Sequence, residues 1–275
     1  MGVRMYQEID KKKVQEHILD IFRDIIRVCD ELDINYFIMG GTALGAVRHG
    51  GFIPWDDDLD IGMLRTDYER FLKEAPQCLR GDLFLQTFES EPRSPFYFAK
   101  VRKSGTEFTE YYCRKLPIHS GIYVDIFPYD SVPDEVHARK GYYWKSKCLL
   151  NLYIAKEVTE TSVPHHGWHR IAYFMIRNGL HILLMPVSKN WLYRRLDHHM
   201  QRYNTKQTVY VGYGGNPGVQ LKRKYVKQPE KICFEGTEVK CPKEIEEYLH
   251  DNYGDYHKLP PENERKGHAP YQVRV

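Results

Sequence analysis

The sequence lacks any apolar run long enough to span a membrane, and we expect no signal peptide. No uninterrupted apolar stretch approaches the roughly 18–20 residues that a transmembrane helix needs. The opening residues, MGVRMYQEID, have no apolar core of the kind that directs secretion. We therefore expect a cytoplasmic protein. Any contact with a membrane is expected at its inner face.

A strong charge of either sign and paired cysteines are missing as well. Lysine and arginine total 40 against 37 acidic residues, a net charge of only +3, which gives no case for a nucleic-acid-binding protein. The six cysteines include no pair at CxxC spacing, so a zinc site has little support and a reducing compartment is expected. What remains is an ordinary folded protein, with 42% hydrophobic residues to build a core.

Strand patterns and helix patterns occupy different parts of the chain. Short apolar segments and amphipathic helices fill the first part, and long helical patterns then cover roughly 134–160, 168–184 and 188–204. We therefore predict an α+β fold with three parts, namely a core at 1–133, a helical segment at 134–206, and strands, a helix and a loop at 207–275 that complete the same domain.

One segment of the helical part is unusually apolar. It reads IAYFMIRNGLHILLMPVSKNWL, from Ile171 to Leu192, and Arg177 interrupts it. A buried helical hairpin is one interpretation, and a helix that lies in the interface of a membrane is the other. The second interpretation predicts peripheral membrane contact through residues 171–192.

The first elements of the chain carry clear helix and strand signals. Apolar residues recur at helical spacing from Val14 onwards, and Asp10 stands at the N-cap position. NYFIMGG indicates a short buried strand that ends in glycines, and TALGAVRHGG indicates a helix with Thr42 as its N-cap. Further along, GIYVDIFPYD is a strand candidate that Pro128 is expected to close.

Four carboxylates lie within five positions of the stretch IPWDDDLDIGM. Asp58 and Asp60 alternate with Leu59 and Ile61, so on a strand these two carboxylates share one face and Asp57 points to the other. Neighbouring carboxylates repel each other unless a cation lies between them, and Mg²⁺ favours a few carboxylates together with water and substrate phosphates. The pattern predicts a magnesium site, with a solvated acidic edge as the alternative.

Two other features support a site for phosphate chemistry. Gly40 and Gly41 lie where a strand gives way to a helix, and backbone N–H groups at a helix N-terminus favour a phosphate. Asp125 stands between apolar neighbours in YVDIFP, and a buried carboxylate is costly unless it is paired or bound to a metal. Together these features favour metal-assisted chemistry on a phosphate.

The order of these motifs resembles that of the nucleotidyltransferase superfamily, and within it the LicD family of phosphocholine transferases and fukutin-like domains. The run GGTALGAVRHGGFIPWDDDLDIGM, the later VDIFPYD and the tail YLHDNYGDYHKLPPENE carry the resemblance, over about residues 30–130 and 232–268. The spacing of 17 residues from Gly41 to Asp58 is longer than the usual superfamily signature. The resemblance implies a nucleotidyltransferase-like mixed sheet flanked by helices, with a helical insertion.

The resemblance also implies a reaction. The family that this chain resembles transfers a substituted phosphate from a CDP-alcohol to a sugar hydroxyl of a cell-surface glycan precursor. For this chain, the resemblance implies phosphocholine transfer from CDP-choline to a glycan or teichoic-acid precursor, which includes lipid-linked acceptors. CDP-ribitol is the donor of the fukutin-like relatives and is the first alternative.

Residue by residue, the resemblance gives the acids expected roles. The family's metal-binding acids fall on Asp58 and Asp60, and Asp56 matches a further acidic position of the motif. Asp58 and Asp60 are expected to hold Mg²⁺, or Mn²⁺, against the diphosphate of the donor. The acid of VDIFP falls on Asp125, which is expected to complete the site, either as a metal ligand or as the acceptor of the proton of the attacking hydroxyl.

Phosphate contacts are expected from the glycine-led helix. Backbone N–H groups of Gly40 and Gly41 and the hydroxyl of Thr42 are predicted to bind the phosphates. Arg48 and His49, at the end of the same helix, are further candidates, and capping of the helix C-terminus is the alternative for Arg48.

Other side chains are candidates for contacts with the rest of the donor. Lys100 and Arg102 share one face of a strand candidate and are expected to neutralise the diphosphate, with surface charge as the alternative. His268, in the tail, is expected to close over the substrate. Trp55, beside the acids, is a candidate for binding a quaternary ammonium, with packing as the alternative. Weaker candidates of the same kind are Tyr111, Tyr112, Tyr123 and Tyr129.

Two other functions are compatible with these residues. One is transfer of a nucleoside monophosphate from a nucleoside triphosphate to a small molecule, and the other is nucleotide binding without catalysis. The residues do not fix the alcohol of the donor, and choline, ribitol, glycerol and ethanolamine stay open.

Overall fold

The computed structural model describes residues 10–160, 168–265, 267 and 270–275, without the side chains of residues 168–170 and 173. The helices of the described chain are α1 (Lys11–Glu31), α2 (Gly40–His49), α3 (Arg65–Glu74), α4 (Val136–Ala155), α5 (Trp168–Leu184), α6 (Lys189–Gln201) and α7 (Ile245–Tyr253). Its strands are β1 (Phe37–Ile38), β2 (Asp60–Leu64), β3 (Leu83–Gln86), β4 (Ala99–Lys103), β5 (Glu107–Thr109), β6 (Tyr123–Ser131), β7 (Tyr210–Gly212), β8 (Leu221–Lys222), β9 (Glu230–Phe234), β10 (Thr237–Cys241) and β11 (Gln272–Arg274).

A mixed sheet forms the centre of the molecule. Its strands lie in the order β1-β2-β6-β4-β3, and β7 joins β6 and pairs in turn with β8. β2 and β6 run parallel, whereas β1 pairs antiparallel with β2, and β4 pairs antiparallel with both β6 and β3. The hairpin β9–β10 and the pair β5–β11 form separate two-stranded sheets. The predicted α+β fold, a mixed sheet flanked by helices, is confirmed.

Helix α1 packs against the central strands β4 and β6. The side chain of Asp10 accepts a hydrogen bond from the N–H of Lys13, so the predicted N-cap is confirmed. The apolar stripe that begins at Val14 is buried, and within it Phe22 packs edge-on against the ring of Tyr36. Because each fully buried apolar side chain contributes about 1.5–3 kcal/mol, this face of α1 is a main source of core stability.

Strand β6 continues beyond its predicted end at Pro128 and reaches Ser131. The N–H of Asp125 points to β2, where it donates to a carbonyl, so the nitrogen of Pro128, three residues further on, points to the other side. On that side the pairing with β4 ends at Ile126 and the pairing with β7 starts at Asp130. The missing N–H therefore falls in a gap between two ladders, where it disrupts neither of them.

Helices α4, α5 and α6 form a helical segment between β6 and β7. α4 packs against both of the other helices. Helix α5 turns much of its apolar surface outwards, since Ile171, Met175 and Leu183 are 63%, 67% and 72% exposed. The interpretation of residues 171–192 as a buried hairpin is therefore wrong for the outer surface of α5. Among the described residues, no helix combines the length and the apolar character that crossing a bilayer requires.

A network of charges fastens the helical segment to the sheet. Arg65, the first residue of α3, donates from Nε to Asp130 at 2.8 Å and from Nη1 to Asp197 of α6 at 3.3 Å. Asp130 belongs to β6, is 1% exposed and accepts a further hydrogen bond from Asn204 at 2.6 Å. The hydroxyl of Tyr97 donates to Asp197 at 2.7 Å. One guanidinium group thus joins α3, β6 and α6.

Replacing Arg65 with Met should show how strongly this network stabilises the fold. The variant leaves the charge of Asp130 buried without its cation, so we expect the free energy of unfolding to fall by about 3–5 kcal/mol. Urea unfolding followed by circular dichroism measures the loss. As a control, Lys231→Met removes the partner of Glu238 in an exposed ion pair and should leave the unfolding midpoint almost unchanged. Similar losses in the two variants would contradict a special role for the network.

Candidate active site

The register of the central sheet places three charged residues side by side. Asp125 of β6 is paired with Asp60 of β2 on one side and with Lys100 of β4 on the other. Gln86 of β3 continues the row beyond Lys100. Because directly paired residues on neighbouring strands point to the same face, these side chains project together from one face of the sheet. The structure thus brings two of the predicted catalytic acids, Asp60 and Asp125, next to each other.

A buried ion pair lies in the middle of this row. Nζ of Lys100 lies 2.7 Å from Oδ1 of Asp125, and the two side chains are 1% and 11% exposed. Burial raises the pKa of Asp125, and the positive charge of Lys100 opposes that rise. Lys100 is therefore not a surface cation, and the surface-charge interpretation is wrong. Its contact with a diphosphate stays a prediction.

Aromatic rings surround the ammonium group of Lys100. Its Nζ lies 3.6 Å from the ring centroid of Tyr123, 4.3 Å from that of Phe96 and 5.1 Å from that of Phe98. The face of an aromatic ring carries partial negative charge and attracts cations. This end of the sheet therefore combines ring faces and carboxylates in a way that suits a positive charge.

Arg102 lies two residues along β4 and is buried as well, so the surface-charge interpretation also fails here. Its Nε donates to Oε1 of Gln86 at 2.7 Å, and its Nη1 donates to the carbonyl of Gly121 at 2.8 Å. The guanidinium lies 4.8 Å from the ring centroid of Tyr123. These contacts support the wall of the site, and the predicted contact with a diphosphate stays a prediction.

Most of the acidic stretch precedes strand β2, and only Asp60 lies within the strand. β2 begins at Asp60, whose N–H donates to the hydroxyl oxygen of Thr42 at 2.9 Å. Helix α1 holds the loop before the strand, because Gln15 donates to the carbonyl of Asp56 at 2.8 Å. The strand alternation predicted for Asp58 therefore does not apply, since that residue lies in the loop.

Asp57 is nevertheless separated from Asp58. Asp57 is 2% exposed, and a Cβ added to Gly267 would lie 2.7 Å from its Oδ2, so this carboxylate contacts the tail of the chain. Asp58 instead lines a cavity together with Asp125. Asp57 and Asp58 therefore point to different surroundings, as predicted. The conformation of the loop causes this difference, and strand alternation does not.

The glycines lie against the same acids. Helix α2 begins at Gly40, so the prediction of Thr42 as the N-cap is wrong. Gly40 has a φ of +57°, which favours glycine, and its N–H donates to the hydroxyl of Tyr248 at 3.0 Å. A Cβ added to Gly41 would lie 3.1 Å from Oδ2 of Asp56. The helix N-terminus therefore lies beside the carboxylates, and the phosphate contacts of Gly40, Gly41 and Thr42 stay predictions.

Helix α7 contributes residues that sequence reasoning missed. Besides Tyr248, it supplies Tyr253, whose hydroxyl oxygen would lie 3.8 Å from a Cβ added to Gly40. The tail motif YLHDNYGDY contains both tyrosines and was the available signal. His268, further along the tail, lies outside the described residues.

The remaining predicted residues cluster at the far end of α2. Arg48 donates from Nη1 to the carbonyl of Tyr256 at 3.1 Å and from Nε to His49 at 3.0 Å. The ring of His49 packs edge-on against Trp55, and the guanidinium of Arg265 lies 5.3 Å from the Trp55 ring. These contacts support the packing interpretation of Trp55. The predicted substrate contacts of Arg48, His49 and Trp55 stay predictions.

A cavity of about 180 Å³ lies beside the row of charges. Its charged lining consists of Asp58, Lys100, Glu110 and Asp125, which is three carboxylates against one ammonium. The rest of the lining is mostly aromatic and comprises Pro95, Phe96, Tyr97, Phe98, Tyr112, Tyr123, Leu150, Ile154 and Tyr213. Leu150 and Ile154 belong to α4, so the helical segment forms one wall.

Two of the four weaker tyrosine candidates line this cavity, Tyr112 and Tyr123. Tyr129 packs in the core against Phe37, and Tyr111 lies under the guanidinium of Arg114. Sequence reasoning missed the lining residues Phe96, Phe98, Glu110 and Tyr213. The aromatic residues of SPFYFAK, just before Lys100, were a signal for the first two.

The carboxylates at the cavity suit a hard divalent cation. Mg²⁺ is usually bound by one or two carboxylates, with water and substrate phosphates as its other ligands. Asp58 lines the cavity and Asp60 lies next to Asp125 in the sheet, and their role as a pair of metal ligands stays a prediction. Over the residues that the structure describes, no group of three or more His, Cys, Asp or Glu side chains is arranged as a metal site. Asp125 is paired with Lys100, and its predicted role as a third ligand stays a prediction.

Comparison with known proteins decides the family. Residues 33–151 match the family described as LicD/FKTN/FKRP, nucleotidyltransferase domain. The chain is 32% identical over 268 residues to the lipopolysaccharide cholinephosphotransferase LicD of Haemophilus influenzae, and the match covers 92% of each protein. The chain belongs to the LicD family. The resemblance predicted from its motifs is confirmed.

Shorter matches connect the chain to two further proteins. It is 42% identical over 61 residues to the human ribitol 5-phosphate transferase FKRP, which is 22% of this chain and 11% of that protein. It is 40% identical over 75 residues to an uncharacterized protein of Rickettsia typhi, which is 27% of this chain and 24% of that protein. Two relatives thus carry names of enzymes that transfer a phosphorylated alcohol.

Replacing Lys100 with Met should expose the cost of burying Asp125. Without its cation, the ionised carboxylate is buried unpaired, so we expect the free energy of unfolding to fall by about 3–5 kcal/mol at pH 7.5. Because burial raises the folded-state pKa of Asp125 above its unfolded value, the carboxyl takes up a proton as the pH falls through that pKa, and the deficit relative to the native protein should shrink. Urea unfolding of both proteins between pH 5 and pH 8 measures the difference.

The double variant Lys100→Met, Asp125→Asn is the control for this experiment. It removes both charges, so it should be more stable than Lys100→Met at pH 7.5, and its stability relative to the native protein should vary less with pH. A deficit in Lys100→Met that is independent of pH would contradict the assignment to Asp125.

Proposed function

We propose that the protein transfers phosphocholine from CDP-choline to a sugar hydroxyl of a cell-surface glycan or teichoic-acid precursor, in a reaction that depends on Mg²⁺. The cavity beside Asp58 and Asp125 is the observation that supports this donor best. The name of the relative that matches 92% of its length, a cholinephosphotransferase, points the same way.

The lining of the cavity suits a quaternary ammonium. Six aromatic rings provide apolar surface and negative ring faces, and the carboxylate of Glu110 adds negative charge to the same lining. Trimethylammonium groups are recognised by this combination, because the methyl groups need apolar contact and the charge needs an electrostatic partner. The volume of about 180 Å³ is below the ~300–1,000 Å³ of pockets for drug-sized ligands and suits a small head group.

Other donors make different demands on this cavity. A ribitol group would present hydroxyls to the aromatic faces and has no positive charge to interact with the carboxylate of Glu110. The identity with the ribitol 5-phosphate transferase, over 61 residues, makes CDP-ribitol the second candidate. Transfer of a nucleoside monophosphate from a triphosphate is the third.

Asp58 and Asp60 are the proposed ligands of Mg²⁺. When bound, the metal would neutralise charge on the diphosphate of the donor and on the departing CMP. Thr42 positions Asp60 by accepting the hydrogen bond of its N–H at 2.9 Å, and Gln15 holds the preceding loop. The N-terminus of α2, beside these acids, offers partial positive charge to the donor phosphates.

Asp125 is the proposed acceptor of the proton of the attacking sugar hydroxyl. A general base works best when its pKa is close to the working pH, and burial moves the pKa of Asp125 upwards towards that range. Lys100 holds Oδ1 at 2.7 Å and thereby orients the carboxylate. The ion pair supports this role over that of a metal ligand, because an ammonium already occupies one side of the carboxylate.

A donor panel tests the proposal. We expect CDP-choline with Mg²⁺ to raise the melting temperature more than CDP-ribitol, CDP-glycerol or CDP-ethanolamine, and to release CMP when simple methyl glycosides are supplied as acceptors.

Glu110→Gln removes one charge from the cavity at constant shape and should weaken CDP-choline binding about tenfold, while CDP-ribitol binding changes little. Calorimetric titration measures both. Equal weakening for the two donors would contradict the choline pocket, and pyrophosphate release from a nucleoside triphosphate would favour the third candidate.

Replacing Asp58 or Asp60 with Asn tests the metal assignment. Each variant loses a ligand charge, so we expect transfer to fall at least ~100-fold and the stabilisation by Mg²⁺ and donor to disappear, while the fold is kept. Asp57→Asn is the matched neighbour. It should lower the melting temperature, because Asp57 is buried against the tail, and should keep the Mg²⁺-dependent stabilisation. Near-normal transfer by both the Asp58 and the Asp60 variants would refute the assignment.

A further inference from the structure

Helix α5 exposes an apolar surface that no described part of the chain covers. Seven large side chains on α5 and the residue after it are more than half exposed, and they are Ile171, Phe174, Met175, Ile176, Ile182, Leu183 and Met185. At 100° per residue, five of them lie within about 100° of arc on one side of the helix. No charged residue shares that arc among the described side chains. Clusters of this kind mark interaction surfaces on folded proteins.

Arg177 and His181 of α5 bond to backbone carbonyls at the end of α4 and just after it. Arg177 donates from Nε to the carbonyl of Val158 at 3.0 Å, and Nδ1 of His181 lies 3.0 Å from the carbonyl oxygen of Ala155. An ordinary surface helix turns its charges to water and its apolar stripe to the core. Helix α5 buries Leu184 in this way, but its outer surface is apolar as well, so that surface is suited to an apolar medium.

The helical segment also concentrates the positive charge of the protein. From residue 136 to residue 202 the sequence has eleven lysines and arginines against three acidic residues, whereas the whole chain has 40 against 37. The rest of the chain is therefore acidic, with 29 against 34. A cleft of about 430 Å³ between α4 and α6 is lined by Lys145, Arg195, Arg202, His198, His199 and Leu149, without a carboxylate among its described lining residues.

We propose that α5 lies in the interface of an anionic lipid bilayer, with its apolar face among the acyl chains and the cations of the helical segment against the head groups. Apolar area and basic charge on one segment are the two terms that bind amphipathic helices to such a surface. Trp144 and Trp191, 71% and 53% exposed on the neighbouring helices, are of the residue type that favours the bilayer interface. A second copy of the chain fits less well, because pairing two such faces would bring two strongly positive segments together.

Vesicle flotation with the full chain tests this proposal and is independent of any catalytic activity. We expect binding to vesicles of phosphatidylcholine with 30% phosphatidylglycerol, and binding at least tenfold weaker to vesicles of phosphatidylcholine alone. Raising the salt from 0.1 to 0.5 M should weaken the binding, since surface charge is then screened. Arg195→Gln should weaken it by up to about fivefold, the factor that corresponds to ~1 kcal/mol per basic residue near the surface.

Charged substitutions on α5 give the sharper test. Met175→Glu and Ile182→Glu change side chains that are 67% and 64% exposed, so the fold should be kept, and vesicle binding should fall at least tenfold. The matched control is Val209→Glu, at an apolar residue that is 57% exposed outside the helical segment, and its binding should be unchanged.

Three results would overturn the proposal. In the first, the native protein does not float with anionic vesicles. In the second, the α5 variants float as well as the native protein. In the third, neither protein binds vesicles, and light scattering shows a dimer for the native protein and a monomer for the α5 variants. The last result would assign the face to a second copy of the chain. A failure of CDP-choline turnover would leave this test unaffected.

Discussion

The register of three strands is the constraint on which the site depends. β6 lies between β2 and β4, and its pairing with both puts Asp60, Asp125 and Lys100 in one row. Side chains alternate between the faces of a sheet, so a slip of one residue between β6 and either neighbour would send a charge into the core on the other face. The apolar residues beside Asp125 hold the register, since Val124 and Ile126 are fully buried beneath the sheet.

The ion pair inside this row has a cost that the rest of the site offsets. A buried pair gains attraction but loses hydration, and on balance it is often no more stable than an apolar pair. Three ring faces compensate the ammonium of Lys100, and the carboxylate of Glu110 adds negative charge to the lining of the cavity. The buried charges therefore lower the stability of the fold and provide the electrostatic environment that the proposed cationic donor would need.

Much of this arrangement could be predicted from the sequence, because local patterns determine it. The stripe of α1, the cap at Asp10 and the α+β fold follow from periodicity and from the order of the patterns, and the family resemblance implied that Asp125 belongs to the same site as Asp60. Pro128 misled the prediction because its effect depends on which side its nitrogen faces, and that depends on where β4 ends and β7 begins. Thr42 misled it because a hydroxyl near a helix start serves equally well to hold the next strand.

The cavity could not be predicted because its wall is assembled from distant parts of the chain. Phe96 and Phe98 precede β4, Glu110 follows β5, Tyr213 follows β7, and Leu150 and Ile154 come from α4. Periodicity reports which face of an element is apolar, but it does not report which other element covers that face. The same limit explains α5, whose apolar pattern is equally compatible with a core and with a membrane surface, and only its exposure distinguishes them.

The helical segment is physically continuous with the site. Leu150 and Ile154 of α4 form part of the cavity wall, and Tyr97 lines the cavity while its hydroxyl donates to Asp197 of α6. Asp197 in turn joins the network of Arg65 that fixes α6 to β6, the strand that carries Asp125. An interaction that fixes the orientation of the helical segment therefore fixes the orientation of the cavity as well. If α5 rests on a bilayer, a sugar carried on a lipid would be presented near the cavity without leaving the surface, and the search for an acceptor would be reduced from three dimensions to two.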